Sequence, residues 1–309
     1  IDAFRVFAKT DNSLYTNSNP TNGEFICPSS GKPCSCAESN VHNCESSSGD
    51  ATSGDDKPVS HSEIDGTLYN EKELIFPPEL VRRNDLPLKL HGFGGTRWYR
   101  PLKLEALLDL RSLYPNAKLV VGNTEVGIEI NFKNAKYPIL ISVTHVRELN
   151  ALNIKENGLE IGSSVRLSKL QQILIKVIAE RDIHETSACR AISEQLKWFA
   201  GKQVKNVASV GGNICTASPI SDLNPLWMAT RTEFRIVDPK GNIRTVLAKD
   251  FFLGYRKVDL SQGEILLSIF LPWSRRFEFV KEYKQSHRRE DDIALVNSGM
   301  RVYLKEVES

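Results

Sequence analysis

Between Leu102 and Tyr114 the apolar residues fall three and four positions apart. Leu104, Leu107, Leu108 and Tyr114 form one stripe, which predicts a helix closed by Pro115. A second run with the same period, Leu170, Ile173, Leu174, Val177 and Ile178, predicts an amphipathic helix with Ser168 as its N-cap. Ala191 to Ala200 reads as a further helix ending at Gly201. Between these helices the period shortens. AKLVVG and PILISV read as short buried strands, and GLEIGSSV as a third with alternating character. Beyond Ile214 strands dominate: EFRIV, IRTVL, EILLSIFLP and FEFVKEY. The last pattern, IALVNSGMRVYL, predicts a strand pair opening another lobe. Helices and strands in this order specify an α+β fold.

From Ser18 to Ser62 the pattern disappears, because Ser, Asn, Gly, Asp and Pro replace almost every aliphatic residue. Such a stretch buries too little apolar surface to offset its ordering entropy and reads as a linker. The expected division is therefore a helical tail of a preceding domain at 1–17, carrying AFRVFA, and a polar linker at 18–72. A main domain at 73–280 and the start of a following subdomain at 281–309 complete it. The chain begins without methionine and stops just after a strand-like pattern, so it reads as a fragment of a longer protein.

Charge narrows the range of functions. Forty basic and 38 acidic side chains leave a net charge of +2, which argues against a nucleic-acid binder. No apolar run approaches membrane-spanning length. Cys27, Cys34, Cys36 and Cys44 crowd the linker, while Cys189 and Cys215 stand alone in apolar surroundings. The spacing C-x6-C-x-C-x7-C fits neither a zinc site nor a plant-type iron–sulfur site, so no metal is expected. With no secretory signal, reduced thiols in the cytosol are the expectation, with the peroxisome as the alternative.

Two glycine-bearing segments carry candidate chemistry. Gly122-Asn123-Thr124-Glu125-Val126-Gly127 directly follows the strand Leu119-Val120-Val121. It is either a plain strand-to-strand turn or a concave nest of backbone N–H groups that binds an anion. It does not match G-x-G-x-x-G, and no amphipathic helix is evident after it, so a Rossmann site is not expected. The second segment runs from Trp198 through Ser209-Val210-Gly211-Gly212-Asn213, followed by Thr216, Ser218 and Asp222. Hydroxyls and glycines alternate there in a span too apolar for a surface loop. Unpaired buried polar groups cost about 1–3 kcal/mol each, so the segment either packs as a satisfied turn or holds a polar ligand. A dinucleotide suits it, with Gly211-Gly212 approaching phosphate and Asp222 accepting a ribose hydroxyl. Two nests on different sub-elements imply a large ligand lying between two lobes.

A third segment, Tyr283 to Ile293, holds five successive charges, Arg288, Arg289, Glu290, Asp291 and Asp292. It reads as a solvated loop or as a charged lip over a cofactor, with Lys284 favouring an anionic reduced ring. Trp198 and Phe199 are core aromatics or abut that ring, with Arg289 over the indole.

Together LVVGNTEVGIE, QLKWFAGKQVKNVASVGGNI, TASPISDLNP, FFLGYRK, EILLSIFLP and KQSHRREDDIA resemble the flavin domain of the xanthine dehydrogenase family, from about residue 73 onward. AFRVFAK is similar to the closing helix of that family's iron–sulfur domain, and the cysteine-bearing linker is plant-like in style. The resemblance implies a two-lobed FAD-binding domain of the vanillyl-alcohol-oxidase type. It implies FAD contacts at Leu119, Val120, Val121, Gly122, Asn123, Thr124, Glu125 and Val126. Further contacts are implied at Phe199, Ser209, Val210, Gly211, Gly212, Asn213, Thr216, Ser218, Asp222, Leu266 and Lys284. Trp198, Tyr255, Arg288, Arg289 and Asp291 would tune the loop beside the flavin and its reaction with NAD.

Members of the family are homodimers carrying two 2Fe–2S clusters, a molybdopterin centre and FAD. They oxidise hypoxanthine and xanthine and deliver the electrons to NAD or oxygen. No catalytic residue for purine oxidation is expected in this chain, which would perform only the FAD/NAD half-reaction. An aldehyde oxidase flavin domain is the alternative within the wider family; a cofactor-free scaffolding fragment is the alternative of another class.

Overall fold

The computed structural model describes residues 86–92, 95–288 and 292–305, all within one compact unit. The expected tail at 1–17, the linker with its four cysteines, and Arg289, Glu290 and Asp291 lie outside the described residues.

The first lobe is a mixed sheet of order β1-β2-β4-β3, formed by β1 (Leu88–His91), β2 (Arg97–Arg100), β3 (Lys118–Val120) and β4 (Ile139–Ser142). β1 and β2 are antiparallel, whereas β2 and β3 both run parallel to β4. Parallel neighbours need a crossover, supplied here by α1 (Leu104–Leu113) between β2 and β3 and α2 (Val126–Lys133) between β3 and β4. The stripe read from sequence is the buried side of α1, where Leu107 is fully buried and Leu108 nearly so.

α2 is a correction, because no helix was expected there. Its sequence VGIEINFK alternates apolar and polar residues as a strand does, and only Val126 of the eight is buried. A helix without an apolar stripe leaves no period-3.6 signature to read.

The second lobe is an antiparallel sheet of order β5-β6-β11-β7-β8. Its strands are β5 (Leu152–Ile154), β6 (Gly158–Gly162), β7 (Glu233–Val237), β8 (Ile243–Leu247) and β11 (Ile265–Pro272). Leu159, Ile161, Phe234, Ile236 and Ile269 are fully buried in a core shared with α3 (Leu167–Glu180) and α4 (Ser187–Lys197). Each such side chain contributes about 1.5–3 kcal/mol by leaving water. Val237 and Ile265 turn instead toward Leu107 and Ile141, so the two lobes share an apolar seam.

Helix limits shift where tertiary contacts override local signals. α3 starts at Leu167 with Arg166 as N-cap, two residues before the expected cap at Ser168. The bridge between Arg166 and Ser209, together with Leu167 N–H donating to the Ala208 carbonyl at 3.0 Å, sets that start. α4 spans Ser187–Lys197, not 191–200; the chain then turns through Ala200, at φ +32°.

The short helices α5 (Lys202–Lys205), α6 (Val210–Thr216), α7 (Asn224–Ala229) and α8 (Ala248–Phe251) follow, with a small hairpin of β9 (Phe252–Gly254) and β10 (Lys257–Val258). β12 (Glu278–Ser286) and β13 (Ala294–Tyr303) form an antiparallel ribbon in register from Glu278↔Tyr303 to Gln285↔Val296, with a shift before Ser286↔Ala294. The terminal pattern expected to be a strand pair is thus one strand, whose partner is β12. Its polar centre, Asn297-Ser298-Gly299, mimics a turn in sequence.

Candidate cofactor site

The first glycine segment leaves β3 and turns through Gly122 and Asn123, with Asn123 at φ +57°, a conformation asparagine tolerates better than most residues. Gly127 N–H then donates to the Asn123 carbonyl at 3.0 Å, which starts α2. At Gly122 a Cβ would lie 2.0 Å from the Val207 carbonyl oxygen. Backbone therefore meets backbone, and the two glycine segments read separately in the sequence converge at this contact.

The second segment is pinned to the end of β6. Gly211 N–H donates to the Ser163 carbonyl at 2.8 Å and Val210 N–H to Val165 at 2.9 Å. A Cβ on Gly211 would stand 2.6 Å from that of Ser163, so only glycine fits. Ser209 caps α6, its Oγ accepting from Gly212 N–H at 3.1 Å. The segment, where no helix was expected, is a short helix; Gly211-Gly212 hid it, since glycine is a poor helix former. Thr216 spends its hydroxyl on the Gly212 carbonyl at 2.8 Å, and Ser218 Oγ accepts from Ile220 N–H at 3.4 Å.

Between these walls opens a cleft of about 740 Å³, within the roughly 300–1,000 Å³ usual for small-molecule and cofactor sites. Leu119 through Val126, Phe199, Ser209, Gly211, Gly212, Asn213, Thr216, Ser218, Asp222 and Leu266 all line it. Val210 does not, since its side chain is fully buried in the core. Trp198, Tyr255 and Arg288 are exposed beside the cleft but are not part of its lining.

Lys284 stands one contact behind the lining. Its ammonium donates to Asp222 Oδ2 at 2.8 Å and to the Trp198 carbonyl at 2.7 Å. Both partners of this ion pair are nearly buried, with side chains 6% and 10% exposed. Burial pushes the Asp222 carboxyl up, against the pull of the Lys284 ammonium and the Asn297 amide. The other oxygen, Oδ1, is buried and has no hydrogen-bond partner.

Several lining residues were not anticipated. Arg111 donates to the carbonyls of Ala117 at 2.8 Å and Gly263 at 3.2 Å, tying α1 to the turn before β11. Arg256 pairs with Glu125 at 2.8 Å, drawing the β9–β10 hairpin against the first wall. Ser163 and Ser164 close the end of β6; Asp292, read from the sequence as part of a charged lip, enters from the loop before β13. The small, hydroxyl-bearing end of GLEIGSSV was a usable signal for the serines. For Arg111 and Arg256 there was none, because the partners that tie them across the fold, Gly263 and Glu125, are distant in sequence. Among the described residues no His/Cys/Asp/Glu group is arranged to hold a metal, and no helix is long and apolar enough to cross a membrane. Cys189 and Cys215 are free, and burial pushes both thiols up to about 12.

Residues 92–274 match the FAD binding domain in molybdopterin dehydrogenase. The chain belongs to this family. It is 65% identical over its whole length to a xanthine dehydrogenase of Oryza sativa subsp. japonica, covering 23% of that protein. It is 59% identical over 99% of its length to xanthine dehydrogenase 2 of Arabidopsis thaliana, covering 22%. The chain thus spans under a quarter of the length of these relatives. The fold also matches a reconstituted CO dehydrogenase from Oligotropha carboxidovorans, with TM-score 0.59 and 17% identity over 69% of this chain and 71% of that one.

The residues present suit an FAD. Its hydroxyls can supply the donor that Asp222 Oδ1 lacks, since buried acceptors are rarely left unpaired. The glycine walls let backbone approach a pyrophosphate closely, and Phe199 and Leu266 offer apolar surface to a ring.

Proposed function

We propose that this FAD-binding domain is the electron-transfer flavin domain of a xanthine dehydrogenase. In the full protein, hypoxanthine and xanthine would be oxidised to urate at a molybdopterin centre, with two 2Fe–2S clusters as the relay. The observation that carries the reading is the pair of glycine walls converging on a cleft with a buried, unpartnered carboxylate oxygen. Bound FAD supplies electron and hydride chemistry toward NAD or oxygen.

The chain's own residues bind and orient. The walls at Gly122 and Gly211–Asn213 would cradle the pyrophosphate, and Asp222 would accept from a hydroxyl. Phe199 and Leu266 would border the rings, and Lys284 would keep positive charge behind Asp222. Trp198, Tyr255 and Arg288 would tune access of NAD from outside the cleft, and Arg289 and Asp291 would share in that role. In this reading 73–280 is the FAD domain, 281–309 opens a further subdomain, 1–17 closes an iron–sulfur domain, and 18–72 joins the two. The whole enzyme would be a cytoplasmic homodimer.

The test is spectroscopic. The intact protein should show a flavin absorbance spectrum that NADH bleaches, and NAD⁺ should reoxidise the reduced form. Colourless protein that FAD cannot reconstitute would sink the reading. Reoxidation by oxygen but not by NAD⁺ would move the assignment to an aldehyde oxidase.

A further inference from the structure

β13 carries three consecutive poor strand formers, Asn297, Ser298 and Gly299, at the centre of a ten-residue strand. Two of them face the segment that holds Asp222. Asn297 Nδ2 donates to the Ser221 carbonyl at 2.9 Å. At Gly299 a Cβ would sit 2.6 Å from the Pro225 carbonyl oxygen, so the strand lies flush against α7. Arg301, next on the same face, donates from Nε to the Ala229 carbonyl at 2.9 Å. Strand positions 297, 299 and 301 thus meet 221, 225 and 229. From 299 to 301 two strand residues rise about 6.7 Å, and from 225 to 229 four helical residues rise about 6 Å, so the two periods stay in step along α7.

Across the ribbon, Asn297 pairs in register with Lys284, which holds Asp222 Oδ2. One cross-strand pair therefore grips Ser221 through its backbone and Asp222 through its side chain.

We propose that Asn297 is a positioning residue for the Asp222 carboxylate: holding the Ser221 carbonyl while Lys284 holds Oδ2, it fixes Oδ1 as the acceptor for a ligand hydroxyl in the cleft. This inference rests on FAD occupying that cleft. It also accounts for the polar centre of β13, where a valine or threonine would suit the strand better but could not reach Ser221 as the amide does. The ribbon is in this view a registration device, and shifting β13 by a residue would move the acceptor in the cleft.

The experiment is a double-mutant cycle read as the FAD dissociation constant of the intact protein, followed by flavin fluorescence on titration of the deflavinated form. Asn297→Ala should weaken FAD about tenfold, the scale of one lost hydrogen bond amplified by misplacement of Asp222. Asp222→Ala, which removes the acceptor, should weaken it at least as much. The double variant should bind within about twofold of Asp222→Ala alone, because Asn297 acts through Asp222.

Losses that multiply in the double variant would mark Asn297 as merely structural and overturn the inference, as would unchanged affinity in Asn297→Ala. Should alanine unfold the ribbon, Asn297→Thr replaces it in the same cycle with the same expected non-additivity, since threonine favours the strand and lacks the amide. Parent protein that binds no FAD would instead defeat the cofactor reading itself.

Discussion

The two walls of the cleft both use glycine, for different reasons. On the first, Gly122 is required because the opposite wall is there: its Cα rests on the Val207–Ala208 backbone, with 2.0 Å between a would-be Cβ and an oxygen. On the second, Gly211 is required by its own lobe, where it packs on Ser163 at the end of β6. Gly212, next along, meets only the rotatable Ser209 hydroxyl at 2.9 Å. The carboxylates differ as well. Glu129, which lines the cleft beside the first wall, keeps a carboxyl below the usual range. Burial pushes it up, but hydrogen bonds from Lys118 and Tyr137 outweigh that push. Asp222 on the second wall is held above it, chiefly by burial. One wall is stabilised by its charge, whereas the other retains a carboxylate at some expense to folding.

Breaking the contact between walls should have the largest effect. Gly122→Ala forces a methyl group into a carbonyl oxygen of the facing backbone, which cannot rotate away. A loss of about 3 kcal/mol is expected in urea unfolding, together with loss of bound FAD. Gly211→Ala clashes with Ser163 at 2.6 and 2.8 Å, within a single lobe. It should lower stability by about 1–2 kcal/mol and leave the first wall intact. Equal losses in both variants would erase the distinction between a contact joining the lobes and one inside a lobe.

The charges give a smaller, pH-dependent contrast. Glu129 receives Lys118 at 2.9 Å and the Tyr137 hydroxyl at 2.7 Å. A carboxyl whose folded pKa is depressed stabilises above its unfolded value, here 4.5, and that contribution is lost as pH falls through the folded pKa. Glu129→Gln should therefore cost about 1 kcal/mol at pH 7. The difference from the parent should shrink below the ordinary glutamate range, as read by thermal unfolding across that window. A difference that does not change with pH would show that Glu129 acts through packing alone.

How much of this was legible beforehand follows from where each signal resides. α1, α3 and β7 were readable because one buried face repeats locally, as in Leu167, Leu170, Leu174 and Val177, and β11 because its apolar run is buried almost throughout. α2 was not, since its alternating Ile128, Ile130 and Phe132 are exposed and carry no helical stripe. α6 was hidden because its start depends on bridging Arg166 to Ser209, a pairing no local pattern announces. The walls themselves were readable since their glycines and hydroxyls are contiguous in sequence. Arg256 and Asn297 reach their partners across 131 and 76 positions, so only folding brings them to the cleft.

Gly212→Ala provides the smallest and most discriminating test of the comparison between walls. Gly212 occupies the third position of α6, where alanine improves helix propensity by about 1 kcal/mol. The new methyl group displaces Ser209 Oγ from the Gly212 N–H, and a lost N-cap bond costs about 0.5–2 kcal/mol. The two terms nearly cancel, so unfolding of the FAD-free protein should change by less than about 0.5 kcal/mol. Affinity for FAD should nevertheless fall, because this glycine is exposed and lines the cleft, so the methyl group projects where backbone would approach a phosphate. A variant that is as stable as the parent and binds FAD as tightly would confine the need for glycine to Gly122 and Gly211, and would move the phosphate contact from the second wall to the first.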